Sequence, residues 1–181
     1  MAIFLIRVYS GSFAARKGLG SALAKGQRLC WLRLVTLIVV SHDSVEAMVH
    51  AYAEQAVLLA REFHAQLDFS ENSLMEVEAV LAQLAREMPA DKPSPEDVSE
   101  ICKVWGSYLG EVVRRRFGGE WSIETYPGKE FATLTLNVNG NRLFPSIKVH
   151  RRLTEGEGEN VWSFYRMVKT RLESASSAKP Q

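Results

Sequence analysis

Acidic residues are missing from the first forty-two positions of this chain, which nonetheless hold six Lys or Arg. All 21 Asp and Glu fall in the rest of the chain, beside 16 bases, so a leader of net charge +6 precedes a body of −5. The overall charge of +1 therefore averages two unlike pieces, a split that marks segments of different origin or duty. Cysteine is also scarce. Cys30 lies in the leader and Cys102 in an apolar stretch, which excludes a disulfide framework and makes a reduced, cytoplasmic setting the expectation. A membrane span needs about 20 mostly apolar residues, whereas the run Leu29–Val40 has twelve and includes Arg33; no span is expected. Gly18-x-Gly20 is not followed by G-K-[ST], no G-x-S-x-G elbow occurs, and no Cys/His pair has zinc spacing. Those gaps remove the phosphate-loop, serine-hydrolase and zinc-site readings. A negatively charged body without a reading motif argues against nucleic acid as a partner. Neither a metal nor a cofactor is expected.

What is present divides into three parts. Residues 1–42 form the basic leader, which is either translated from a start codon upstream of the true one, a targeting arm, or a genuine extension; Val40 and Met48 are the alternative starts. Its basic region and short apolar stretch resemble a secretory signal, but Arg33 interrupts that stretch and no A-x-A site follows. Residues 43–173 are long enough for one hydrophobic core and too short for two. Residues 174–181, Ser-Ala-Ser-Ser-Ala-Lys-Pro-Gln, have nothing to bury and are expected to be disordered.

Apolar spacing predicts a first helix over about Ser44–Leu67, capped by Asp43 with Glu46 or by Ser44. Leu74, Val77, Val80, Leu81, Leu84 and Met88 mark a second, and three prolines make Met88–Glu96 a loop. A third, largely buried helix spans about Pro95–Phe117. Gly106 and Gly110 lie one turn apart in it, each costing about 1 kcal/mol of helix propensity against Ala, so another element is expected to approach closely there. Alternation then predicts a strand through Trp121, Ile123 and Thr125. A second strand runs through Ala132, Leu134, Leu136 and Val138, and after the Asn139-Gly140 turn a third covers Arg142–His150. Pro145 would give that third strand an edge position or a bulge. Val161–Leu172 closes the chain as an amphipathic helix. The expected fold is α+β: three N-terminal helices, an antiparallel three-stranded meander, and a C-terminal helix packed on one sheet face.

Two groups of residues stand out. Tyr108, Glu111 and Trp121 can line a pocket between the third helix and the first strand, with Glu111 a carboxylate of raised pKa. Equally, Glu111 can be a surface acid pairing with Arg114 and Arg115 one turn on. Arg142, Lys148, His150, Arg151 and Arg152 can form a basic contact surface. His50 between Glu46 and Glu54 has the spacing of a ligand row but lacks further ligands. Cys102, among core residues, reads as an inert thiol.

Leu67-Asp68-Phe69-Ser70-Glu71-Asn72-Ser73-Leu74, Gly106-Ser107-Tyr108-Leu109-Gly110-Glu111 and Gly118-Gly119-Glu120-Trp121 occur in that order. Together they resemble a family of small bacterial domains of unknown function with the motifs L-D-[YF]-S-x-x-S-L, G-x-Y-[LI]-G-E and G-G-x-W. The resemblance covers about Val45–Leu172, omits the leader, and implies a fold and a bacterial cytoplasmic origin but no activity. In size and class the chain also resembles immunity proteins that bind toxin domains. The expected function is a non-catalytic, immunity- or adaptor-like protein-binding module, using the sheet's open face and edge toward a partner of unknown identity. The alternative is a small-molecule-binding domain or enzyme using Tyr108, Glu111 and Trp121.

Overall fold

A computed structural model describes residues 44–177. The expectations for the leader, for Asp43 as a cap and for the last four residues lie outside the described residues. Among the described residues five α-helices and three strands follow one another: α1 (Val45–Ala60), α2 (Ser73–Asp91), α3 (Pro95–Phe117), β1 (Glu120–Thr125), β2 (Ala132–Val138), β3 (Asn141–Leu143), α4 (Pro145–Glu155) and α5 (Val161–Ser177). The strands form one antiparallel sheet in the order β1-β2-β3, so the α+β class is as expected.

Local chemistry sets the boundaries. Ser44 caps α1, its side chain accepting the N–H of Ala47 at 3.1 Å. The helix stops at Ala60, earlier than its apolar spacing predicts, because a 3-10 turn over Arg61–Phe63 ends on His64 with φ 58°. Ser94 and Asp97 form a reciprocal capping box at α3, with Pro95 as the first helical residue, where its missing N–H costs nothing. α2 runs through Pro89 to Asp91, so the expected loop shrinks to a few residues. Asn139 and Gly140 both have positive φ (48° and 76°), as a tight hairpin turn requires.

The region after that turn differs from the alternating pattern. The third strand ends at Leu143 and α4 begins at Pro145. Proline presets the helical φ at a first helical position, and Pro145, Val149, Arg152 and Leu153 then fall on one buried face. β3 does lie at the sheet's edge, but only Asn141–Leu143 of the expected Arg142–His150 region is strand, and from Pro145 the chain is helical. α5 continues through Ser174 to Ser177, where disorder was expected. Ser and Ala are tolerated in a helix already propagating, and Ser174 donates back to the Thr170 carbonyl at 2.8 Å.

α3 is the axis of the core. Gly106 and Gly110 are where its neighbours close in, as the spacing predicts. A Cβ on Gly106 would stand 2.6 Å from the Ser146 backbone of α4, and one on Gly110 would stand 2.2 Å from the Trp121 ring. α1 packs on β1, while α3 and α4 pack on β2; α2 rests on α4, and α5 lies against α2, α3 and α4. No helix among the described residues is long and apolar enough to cross a membrane.

Candidate functional site

Tyr108 and Glu111 sit on α3 about one turn apart and both are buried. The Tyr108 oxygen accepts the Phe69 N–H at 2.8 Å and lies 2.6 Å from Ser73 Oγ. Ser73 Oγ donates its only proton to the Ser70 carbonyl, so Tyr108 is the donor in that pair. Phe69 holds φ at 62°, uncommon for a bulky residue. It stacks on Tyr108 at 4.7 Å, and the Arg115 guanidinium lies 3.4 Å from its ring centre. Tyr108 thus pins the Asp68–Ser73 turn to α3, and burial raises its pKa.

Glu111 is the other knot. Arg114 binds it twice, Nε to Oε1 at 2.6 Å and a terminal nitrogen to Oε2 at 2.9 Å, and Trp121 Nε1 donates to Oε1 at 2.8 Å. Arg115 stands 3.9 Å away. Burial alone would raise the carboxyl pKa, but the Arg114 and Trp121 hydrogen bonds outweigh it and hold the group below the ordinary glutamate range. That excludes the raised-pKa acid expected for a general acid at neutral pH. The Arg114 and Arg115 pairing is present as expected, although Glu111 is buried rather than a surface acid. Glu111 and Trp121 border a cleft of about 320 Å³ with Glu46, His50 and Arg114, which Tyr108 does not reach. The segments 67–74, 106–111 and 118–121 are therefore tied to one another through Phe69, Ser73, Tyr108, Gly110, Glu111 and Trp121.

The five basic residues do not make one free surface. Arg142 faces Glu124 at 3.4 Å, Lys148 pairs with Glu159, and Arg151 binds Glu155 at 3.1 Å and Glu159 at 2.6 Å. Arg152 is buried, its Nε 2.6 Å from Glu78, whose other oxygen accepts the Val161 N–H at 2.8 Å. His150 stands apart from them, on the wall of a groove that sequence reasoning missed.

That groove follows from a helical layer that, among the described residues, is incomplete. Trp121, Ile123 and Thr125 pair with Leu136, Leu134 and Ala132, so these six share one sheet face. Helices cover its Trp121 and Leu136 end. At the other end Ile123 is 55% exposed, and Phe131, 47% exposed, lines the same space. The resulting space, about 990 Å³, has Ile123, Ala132 and Leu134 as floor. Met48 and Tyr52 of α1, the first turns of α3 as far as Lys103, and Ser146, Ile147 and His150 of α4 form the walls. α3 meets α4 at Gly106 and Trp121 at Gly110, both beyond the groove. Polar groups at the rim are tied together: Tyr52 donates to Glu100 at 3.2 Å and Lys103 donates to the same carboxylate at 2.5 Å. Burial, then Glu100, pushes the Tyr52 phenol up to about 12.

The opposite sheet face is polar and bonded to itself. Asn137 donates to Ser122 at 2.9 Å and to Glu124 at 2.8 Å, and Thr135 between them is fully buried. The Cys102 thiol on the groove wall is pushed up to about 12 by burial, which leaves almost no thiolate at neutral pH. His50 lies 3.8 Å from Glu54, and no group of three metal-ligating side chains occurs among the described residues. Compared with protein-family models, curated proteins and solved structures, the chain finds no match in any of the three.

Proposed function

We propose that this protein is a non-catalytic binding module that holds an apolar segment of a partner protein in the groove between α1, α3, α4 and the uncovered end of the sheet. The observation that carries the reading is the exposure of Ile123 on the apolar sheet face and of Phe131 at the groove's edge. Their water contact is unfavourable by about 25 cal/mol per Å² of apolar area, and a partner's side chains relieve it. The contact surface moves from the sheet's open face, where polar groups satisfy one another, to the helical side. The acids, bases and thiol of the described residues support binding over catalysis: Glu111 and Lys103 are ion-paired, and Cys102 is protonated. A bacterial cytoplasmic setting is what the motif resemblance would imply, and the free, buried Cys102 thiol is compatible with it.

A small-molecule ligand is the second reading, favoured by the volume of about 990 Å³, at the upper end of ligand sites. Two substitutions test the first. Ile123→Glu places a charge on the floor and Ala132→Trp fills it; both positions are exposed, so both variants are expected to fold. A protein that co-purifies with the wild-type chain is expected to be lost from both. Retention by both variants contradicts the proposal, and loss of a bound metabolite instead supports the second reading.

A further inference from the structure

Among the described residues the sheet has two edges, and only one of them is protected. β3 has only three residues, and after Phe144 the chain turns at Pro145 into α4; so short an edge strand is one of the devices by which proteins stop edge-to-edge pairing. β1 has six residues, contains no Pro or Lys, and keeps one unbroken register with β2 from Glu120 to Thr125. Tyr126 N–H donates to the Phe131 carbonyl at 3.0 Å, which makes Tyr126 and Phe131 a hydrogen-bonded pair in that register. Such pairs alternate along an antiparallel ladder, so Glu120, Ser122 and Glu124 direct their backbone groups to β2. Trp121, Ile123 and Thr125 direct theirs outward. No backbone partner for these three occurs on that side among the described residues.

The geometry points to a second copy of this chain as the occupant of that edge. Antiparallel pairing of β1 with itself about Ile123 sets Ile123 opposite Ile123, Trp121 opposite Thr125, Ser122 opposite Glu124 and Glu120 opposite Tyr126. No like charges oppose one another, and Glu124 is already countered by Arg142 at 3.4 Å. The three outward residues of each copy supply about six backbone hydrogen bonds, two for each directly opposed pair. The two three-stranded sheets become one of six, and the exposed Ile123 side chains cover each other across the two-fold axis, as an isologous interface requires. The two grooves then adjoin, one from each copy. This inference uses the backbone edge and does not rest on the groove as a binding surface; a monomer with an occupied groove, or a dimer with an empty one, separates the two.

The full chain with Cys30→Ser is the protein for the test. Sedimentation equilibrium is expected to give about twice the monomer mass of 20.3 kDa. Ile123→Lys brings two lysines face to face at the axis and is expected to weaken self-association at least 100-fold while circular dichroism is unchanged. Ile123→Cys is expected to form a disulfide-linked dimer on mild oxidation, because hydrogen-bonded opposed Cα atoms stand about 5.5 Å apart, within disulfide reach. Asn139→Cys, on the turn at the far side of the sheet, is expected to form none. A full chain that stays monomeric overturns the inference, as does a dimer unaffected by Ile123→Lys or one that Asn139→Cys links equally well.

Discussion

At the scale of single residues, the acid with the most chemical promise is a structural tie. Glu111 joins α3 to β1 through Trp121 and neutralises Arg114. Its partners Arg114 and Arg115 are about 40% exposed, so their Coulombic share is screened and the hydrogen bonds carry the effect. Glu111→Gln is expected to lower unfolding free energy by about 2 kcal/mol at pH 7. Because the folded pKa is depressed, that difference is fully present above the unfolded carboxylate value and fades as pH falls through the lower, folded one. Urea melts of both proteins at pH 7 and near pH 3 check this; an equal gap at both values contradicts it. Cys102 permits a second measurement. With its thiol raised from 9.0 to about 12, the folded Cys30→Ser chain is expected to react with a thiol reagent at pH 8 about 1000-fold more slowly than the urea-unfolded chain, since the thiolate is the reactive form.

Among the elements, the pairing of α3 with α4 shows what was legible beforehand and what was not. Gly106 and Gly110 announced a close approach, because glycine inside a buried helix needs a packing reason. What approaches Gly106 was not legible, since α4 reads as a strand: Leu143, Ile147 and Val149 alternate, and the charged Arg152 conceals the helical period. Only contact with Glu78, 74 positions earlier in the chain, lets Arg152 occupy a core position. Trp121, Leu136 and the α3 face were legible because period and burial agree there. Ile123 was placed on the correct face, yet the gap in the helices above it depends on how α1, α3 and α4 diverge, which no local pattern encodes. Gly106→Ala is expected to destabilise by about 1–3 kcal/mol despite the better helix propensity of Ala, because its Cβ meets backbone rather than a movable side chain. Glu78→Ala is expected to cost about 3 kcal/mol or more by leaving a buried arginine unpaired. Thermal denaturation of each variant decides; a neutral result at either site contradicts the packing described.

At the scale of the molecule, the described residues form one core centred on α3, which supports a sheet whose apolar side these residues cover at one end and leave bare at the other. The Tyr108 and Glu111 knots, both on α3 but tying it to different segments, hold the shape of the groove without lining it. Their loss is expected to weaken binding only through stability, whereas changes at Ile123, Phe131 or Ala132 act on binding with stability preserved. The most direct measurement places a photoreactive benzoyl-phenylalanine at position 131, in the exposed aromatic at the groove's edge, and irradiates cells making the full chain. A control carries the same group at Glu157, exposed in the turn between α4 and α5. A discrete heavier adduct at position 131 that is absent at position 157, and lost when Ala132→Trp is added, is the expected result. No adduct at position 131, or the same adduct at both positions, contradicts the claim that the groove is where this protein meets its partner.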